Sequence, residues 1–467
     1  MRVLNSSKKF NSSSAPFPTL LLFVYELIWH CLIPIVLLRL IWRAKRNSAY
    51  LKNIPERFGF FGRSDAFQNA IWIHAVSVGE TRAAQPLIHQ FLGQGKKILL
   101  THMTPTGRQT GLDLYAQSIA SGQLKQVYLP YDICWAVESF LKRFKPHLGL
   151  FMETEAWPTF VFRCHQLTIP LFLINARLSQ RSFKRVLRFG SAGRALFQAF
   201  AQILPQTELD AQRYRALGVD DCQVTGNLKF DVQYAPSILS LGQKWKQSLS
   251  AINRLMVCAA STRAGEEKMI LLAWQDLLSD PVFQDTKQRP LLIIVPRHPD
   301  RFNEVANLIA EYPFSSARRS AWSEGGVDNP IKTVHDLENV ELILGDSMGE
   351  MLAYYKAADV VIMGGSLLPT GGQNLIEACA SGCPVILGEH TFNFQQASSD
   401  AIEAGAAIRI QADDHASLLI ALTKTLKDLL IDTKARQSMS ESALRFASSH
   451  QGAAERTMQI LNQYSAN

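Results

Sequence analysis

No Cys-x-x-Cys pair, no Walker A glycine loop, no His-Glu-x-x-His helix and no Asp-x-Asp triplet occurs in this chain of 467 residues. The first three absences exclude a zinc knuckle, a P-loop NTPase and a zinc protease of the common kinds. The fourth removes the usual carboxylate pair that holds a divalent metal on a diphosphate leaving group. Arginines, a lysine and helix dipoles would have to neutralise such a group instead. Cysteine is sparse: there are seven, an odd number, and the closest pair, Cys379 and Cys383, flanks a loop. That usage points to a reduced compartment and to no metal site. Acidic residues are outnumbered, 40 Asp and Glu against 48 Lys and Arg, leaving a net charge of +8. A basic surface favours anionic partners: phosphates, acidic sugars or a membrane surface. No basic-aromatic stripe of a nucleic-acid reader accompanies it, so nucleic acid is not an expected partner.

Long apolar runs are also missing, with one exception. FPTLLLFVYELIWHCLIPIVLLRLIW occupies residues 17–42, and as a helix reaches about 39 Å at ~1.5 Å per residue. That covers a hydrocarbon core of roughly 30 Å. Glu26, His30 and Arg39 are costly in such a place and Pro34 interrupts it. Glu26 and His30, four apart, share a face, which also suits a helix lying in the interface. The apolar part is too long for a cleaved signal peptide and no small-residue cleavage site follows it. Arg2, Lys8 and Lys9 precede it, while Arg43, Lys45, Arg46 and Lys52 follow, a balance that places the body on the cytoplasmic side.

Beyond residue 45, short apolar runs alternate with helical spacing. IWIHAVSV, KKILLTHM, KQVYLPY, HLGLFME, IPLFLINA and AQILPQ come first; a looser stretch over 231–245 intervenes; then RLMVCAAST, PLLIIVPRHP, VELILGD, ADVVIMGGS, CPVILGE and GAAIRIQ follow. This is the pattern of two doubly wound parallel sheets joined near 235–250. Ligands of such sheets bind at the carboxyl ends of the strands, and a crevice between two facing halves is the expected site.

In the second half, a strand runs into Gly364 and Gly365, then Gly371 and Gly372, before a helix near Gln373 and Asn374. Glycines let backbone approach a phosphate, and a helix start offers unpaired N–H groups. Asn374 and Glu377 also fit a simple capping pair, while Glu377 alternatively suits two ribose hydroxyls. Arg297 follows a buried strand and needs an anion or a carboxylate. The segment 347–350 and the turn around Ser261 and Thr262 each precede further helices.

The first half contributes Glu80, then Glu153 and Glu155 directly after a strand, where they face a ligand or cap the helix after Trp157 and Pro158. Lys229 sits in a turn within reach of an anionic donor. Arg177, Arg181, Lys184, Arg185 and Arg188 form a solvated face or clamp headgroup phosphates. Glu80 closes the run IHAVSVGE, where a strand stops at Gly79 and a helix opens. An acidic residue there stabilises the helix start by up to ~1 kcal/mol and needs no further purpose.

Together, HAVSVGE, MTPTG, VYLPYD, METEAWP, NARLSQRS, GNLKFD, VPRHPDRF, GDSMGEM, GGSLLPTGGQNLIE and GEHTFNF, in order across residues 74–394, resemble the 3-deoxy-D-manno-octulosonic acid (Kdo) transferases of lipid A assembly. The YLKNIPERFGFFG segment at 50–62 is similar to that family's N-terminal region as well. GEH replaces a more usual G-P-H, and Gln373 stands where His is common.

The resemblance implies an α/β chain of GT-B architecture, with two Rossmann-like doubly wound domains facing a cleft. Its parts are a membrane anchor over 1–45, an acceptor-binding domain over 46–240, a CMP-sugar-binding domain over 241–440, and a final helix over 441–467 that returns to the first domain. It implies metal-independent, inverting transfer of Kdo from CMP-Kdo to the tetraacyl disaccharide lipid A precursor, on the cytoplasmic side of the inner membrane, with no cofactor. By motif, Glu80 is the implied base, and Glu153 and Lys229 support the transition state. Pro296 and Arg297, the turn of Met348, Gly349 and Glu350, and Asn374, Leu375, Ile376 and Glu377 match the CMP-binding segments. A base at the ordinary carboxylate pKa of ~4.3 would be ionised at neutral pH, and the helix start is expected to keep it so.

Overall fold

Buried β-branched runs flanked by helices give two wholly parallel sheets, one in each of two compact units, residues 1–233 with 451–467 and residues 234–450. The computed structural model describes residues 19–45, 47–62, 65–232, 235–283, 289–322 and 340–465. Arg2, Lys8, Lys9 and Arg46, part of the charge balance around the N-terminal helix, lie outside them.

The first sheet has six strands: β1 (Ile71–His74), β2 (Ile98–His102), β3 (Leu124–Tyr128), β4 (Leu148–Met152), β5 (Leu171–Ala176) and β6 (Gln202–Pro205). Their spatial order is β3-β2-β1-β4-β5-β6. The chain therefore reverses direction across the sheet between β1 and β4, the place where such sheets bind ligands. Trp72, Phe140, Phe151 and Phe160 fill one face. Ile73, Leu100, Leu150 and Ile174 line the other, covered by Leu87, Ile88 and Phe91 and by Met458 and Leu461 of the last helix, Ala453–Ser465.

The second sheet has seven strands: β7 (Met256–Thr262), β8 (Leu291–Pro296), β9 (Ser316–Arg318), β10 (Leu342–Leu344), β11 (Val360–Met363), β12 (Val385–Leu387) and β13 (Ala407–Arg409). In the order β13-β12-β11-β7-β8-β10-β9, the reversal falls between β7 and β11.

Four expectations change. The apolar run IHAVSV is strand only to His74, because Ser77 caps a helix at Val78–Ala83. β9 is an additional edge strand, too short and too polar to show a pattern. The looser stretch after 235 is a helix, Pro236–Ala251, with Pro236 in its first turn and Leu241, Trp245 and Leu249 buried on one face. The segment expected to return from 441 divides: residues 441–449 belong to the helix Thr433–Ser449 of the second unit. Gly452, at φ +87°, then turns the chain into the last helix.

Candidate active site

Because every strand is parallel, the loops after β1, β4, β5 and β6 emerge at one edge of the first sheet. Glu80 stands in the first turn of Val78–Ala83, just past β1. Its Oε2 accepts the Val76 N–H at 2.7 Å and its Oε1 accepts the Ser77 hydroxyl at 3.3 Å. Ser77 in turn caps the Glu80 N–H at 3.5 Å. The helix-start role is therefore real. Gly79 is exposed, and a Cβ placed there would meet only Ser77 Oγ, at 3.9 Å. Packing does not demand a glycine at that point.

Glu80 is nevertheless not an ordinary ionised carboxylate. Burial, then the charges of Glu153 and Glu155, push its pKa up to about 8 against the pull of the Val76 N–H and Lys229. The expectation of a base ionised well below neutrality is corrected on this point. A six-residue helix start supplies less stabilisation than desolvation and two neighbouring carboxylates remove.

Glu153 follows β4 in the left-handed region, φ +56°, a conformation that costs a non-glycine residue ~1–2 kcal/mol. Its carboxylate pairs with Lys229 Nζ at 2.7 Å. Glu155 accepts the Trp157 indole N–H at 2.7 Å, and burial pushes its pKa up to about 6. The free N–H groups of Thr159 and Phe160 at the start of the helix Pro158–Gln166 go to Asp132, at 2.9 and 3.0 Å, rather than to either glutamate. Lys229 is held by its turn: Asn227 Oδ1 accepts its N–H at 3.0 Å, and Asn175 Oδ1 accepts the N–H of Leu228 at 3.0 Å. Asp231 receives the N–H groups of Gly452 and Ala454 at 2.7 and 2.6 Å, fixing the turn to the start of the last helix. The basic segment forms the helix Gln180–Arg188; Phe183 and Val186 pack inward and Arg181, Lys184, Arg185 and Arg188 are exposed.

In the second unit, the loops after β11, β7, β8 and β10 lie side by side. Gly364 has no room for a side chain, since a Cβ would sit 2.4 Å from Ser261 O, and Gly365, Gly371 and Gly372 take φ of +71°, +98° and +76°. The loop's amides are partly spoken for. Buried Glu266, at the start of the helix Glu266–Ser279, accepts the N–H groups of Gly365, Leu367 and Arg263 at 2.7, 3.0 and 2.8 Å. Gly372 N–H donates to Gly365 O at 2.6 Å.

Asn374 accepts the Ile376 N–H at 3.2 Å and donates to Glu377 at 3.1 Å, a local turn rather than the expected capping pair, because Leu375 holds the cap position of the helix Ile376–Ala380. Leu375 and Ile376 are buried beneath. Pro296 ends β8, and Arg297 Nε beyond it donates to Gln373 Oε1 at 3.3 Å. Burial and the neighbouring Arg263 lower the basicity of Arg297, with Glu377 opposing. Met348 is exposed and Gly349 turns at φ +83°. Glu350 is engaged by Arg319 at 2.7 Å and by the Ser347 hydroxyl. Residues 345–349 spell G-D-S-M-G, the spacing of a hydrolase nucleophile elbow. Ser347 bonds Glu350 and Tyr354 rather than a histidine.

Glu266, Glu267, Arg301, Asp231 and Arg456 were not singled out from sequence, because each acts on a distant segment. Among the described residues, no cluster of three His, Cys, Asp or Glu is placed to hold a metal ion.

A family model described as 3-deoxy-D-manno-octulosonic-acid transferase matches residues 52–232, and one described as glycosyl transferases group 1 matches residues 327–446. The chain is 41% identical over 444 residues to the 3-deoxy-D-manno-octulosonic acid transferase of Bordetella pertussis, covering 94% of this chain and 99% of that protein. It is 32% identical to the protein of the same name from Haemophilus influenzae, covering 90% and 93%. Among solved structures, UDP-GlcNAc 2-epimerase from Neisseria meningitidis aligns with 84% of this chain and 100% of its own at a TM-score of 0.54 and 14% identity, a likeness of fold alone. Two parallel-sheet units with glycosyltransferase relatives are the GT-B class.

Proposed function

The chain belongs to the 3-deoxy-D-manno-octulosonic acid transferase family, and from that premise we propose that it moves Kdo from CMP-Kdo to the tetraacyl disaccharide precursor of lipid A, with inversion and without a metal. The observation that carries the mechanism is the pairing of environments at the first sheet's edge. Glu80 holds a proton unusually strongly, while Glu153 beside it is tied to Lys229.

In the transfer, the deprotonated Glu80 takes the proton of the acceptor hydroxyl. The acceptor oxygen bonds the anomeric carbon as the bond to the CMP phosphate breaks on the opposite side, and CMP leaves with the electron pair. A base whose pKa lies near the working pH is efficient, typically contributing roughly 10²–10⁴-fold. Glu153 holds Lys229 where its cation opposes the charge developing in the transition state. Arg263 and Arg297, two guanidiniums that repel each other at neighbouring strand ends, are suited to a phosphate. With them, Asn374 through Glu377 and the turn at 348–350 form the proposed CMP-binding edge. The two arginines then neutralise the leaving group without a divalent ion. The helix Thr19–Ala44, long and apolar enough to cross a membrane, fits an anchor that keeps the body on the cytoplasmic face of the inner membrane, where the basic helix Gln180–Arg188 meets anionic lipid.

Incubating the full chain with CMP-Kdo and the lipid A precursor, then weighing the lipid product, tests this reading. Addition of Kdo with release of CMP is expected. Hydrolysis of CMP-Kdo with no mass gain on the lipid would refute it.

A further inference from the structure

The N-terminal helix is packed along one face and bare along the other. Tyr25, Glu26, Trp29, Ile33, Val36 and Leu40 recur at spacings of three and four and turn toward the first unit. Tyr25 Oη donates to the buried Asp132 at 2.9 Å. Both oxygens of Glu26 accept the Cys134 N–H at 3.0 Å, capping the start of the helix Cys134–Phe144. Trp29, Ile33 and Val36 lie on Tyr131, Ile133 and Ala136. From Tyr25 to Leu40 this contact runs about 22 Å at ~1.5 Å per residue. The charge that looked out of place in an apolar helix is thus spent on the folded unit.

The opposite face carries Phe23, Leu27, Ile35, Leu38, Ile41 and Trp42, each more than half exposed. The apolar surface continues off the helix. Phe58, which like Trp29 packs on the Tyr131 ring, stacks on Trp135 at 6.4 Å, and Phe60 lies 5.8 Å from the same ring. Trp135 then edges a groove of about 590 Å³ whose rim holds Lys142, Arg143 and Lys145 against one acidic residue, Glu138, which pairs with Lys142 and Arg163. An apolar ridge, then aromatic rings, then cations is the succession met on passing from acyl chains to anionic headgroups.

We infer that the helix Thr19–Ala44 lies along an anionic bilayer surface, its outer face among the acyl chains, and does not cross the bilayer. A crossing helix is surrounded by lipid for about 20 residues. Here most of that length is backed by a folded unit, and lifting the helix away would take the Cys134 N–H from Glu26 and the Tyr25 hydroxyl from Asp132. This inference rests on the proposed membrane attachment and gives it an orientation with a consequence for the acceptor. Asp132 lies in the loop after β3, on the same edge of the sheet as Glu80 and Glu153. It also accepts the N–H groups of Thr159 and Phe160, just beyond the 153–157 segment. A lipid-borne sugar in the headgroup layer is therefore presented to the edge that holds the proposed base.

The test uses the full chain with Cys31→Ser and a thiol-attached fluorophore at Leu27→Cys or Leu38→Cys, bound to vesicles of phosphatidylethanolamine and phosphatidylglycerol. Depth is read by quenching from lipids brominated at different acyl positions. The two sites lie on one face, 56% and 66% exposed. Equal, shallow depths are expected. On a crossing helix the two sites lie about 16 Å apart along the membrane normal, on either side of the bilayer midplane, so both would be quenched most by lipids brominated near the ends of the acyl chains, and that result would overturn the inference while leaving membrane attachment intact. Failure to bind vesicles at all would remove the attachment itself. Binding without quenching at either site, with a dimer in sedimentation, would put a second copy on this face and also overturn it.

Discussion

Glu80 answers to two demands at once: it closes a helix start through Val76 and Ser77, and it sits among carboxylates that resist its ionisation. Glu80→Gln separates them. Transfer should fall by roughly 10²-fold or more, while CMP affinity measured on the same folded variant stays near its parent value. Near-normal turnover would leave only the capping role. The pH dependence of kcat/KM should show a limb rising toward a midpoint near 8, where Glu80 gives up its proton. Stability moves the other way. The folded-state pKa, about 8, is above the ordinary 4.5, so the fold favours the protonated form. That contribution is complete below about pH 4.5 and is lost as pH rises through about 8. Gln mimics the protonated carboxyl, so thermal melts should show the variant gaining on the parent as pH rises across this window. A difference constant with pH would mean that folding takes up no proton at this site. Glu80 itself was legible in the sequence as a carboxylate at a strand-to-helix turn. Its proton affinity was not, because it comes first from burial and then from Glu153 and Glu155, which follow another strand.

Two elements hold site residues from a distance. The last helix grips the turn over 225–231: Asp231 takes its first N–H groups, and Arg456 Nε donates to Thr225 O at 2.9 Å while its Nη2 lies 2.8 Å from where a Gly226 Cβ would stand. Arg456→Met should loosen Lys229 and lower transfer by roughly 10- to 10²-fold, the scale of a displacement of about 1 Å. Because Lys229 lowers the pKa of Glu80, the midpoint of the pH profile should also move up, which a merely unstable variant would not do. In the second unit, Arg301 clamps the almost fully buried Glu267 through two bonds at 2.7 and 3.1 Å, tying the segment after Arg297 to the first turn of the helix Glu266–Ser279 that follows β7. Arg301→Ala leaves a buried carboxylate without its cation and should cost about 3–5 kcal/mol in denaturant unfolding. A loss within that of a surface pair would show that Thr262, which also bonds Glu267 at 2.7 Å, suffices alone.

For the whole molecule, the proposed transfer is driven by fixed cations, so a strong chelator should leave its rate unchanged; a large loss restored by magnesium would refute that account. The two α/β sheets, the family and the apolar N-terminal helix were all readable from the chain. Their signals are local: β-branched runs of strand length, glycines and acids at strand ends, and an unbroken apolar stretch. β9 escaped because three polar-edged residues carry no period. What the tertiary structure alone decided are relations between distant segments. Glu266 reaches an amide 99 positions away in the glycine loop, and Asp231 one 223 positions away. Glu26 reaches across 108 positions to cap another helix and turns one face of an apolar segment inward. Composition sets how much apolar surface a segment has, but burial, charge pairing and proton affinity depend on which neighbours the fold brings to it.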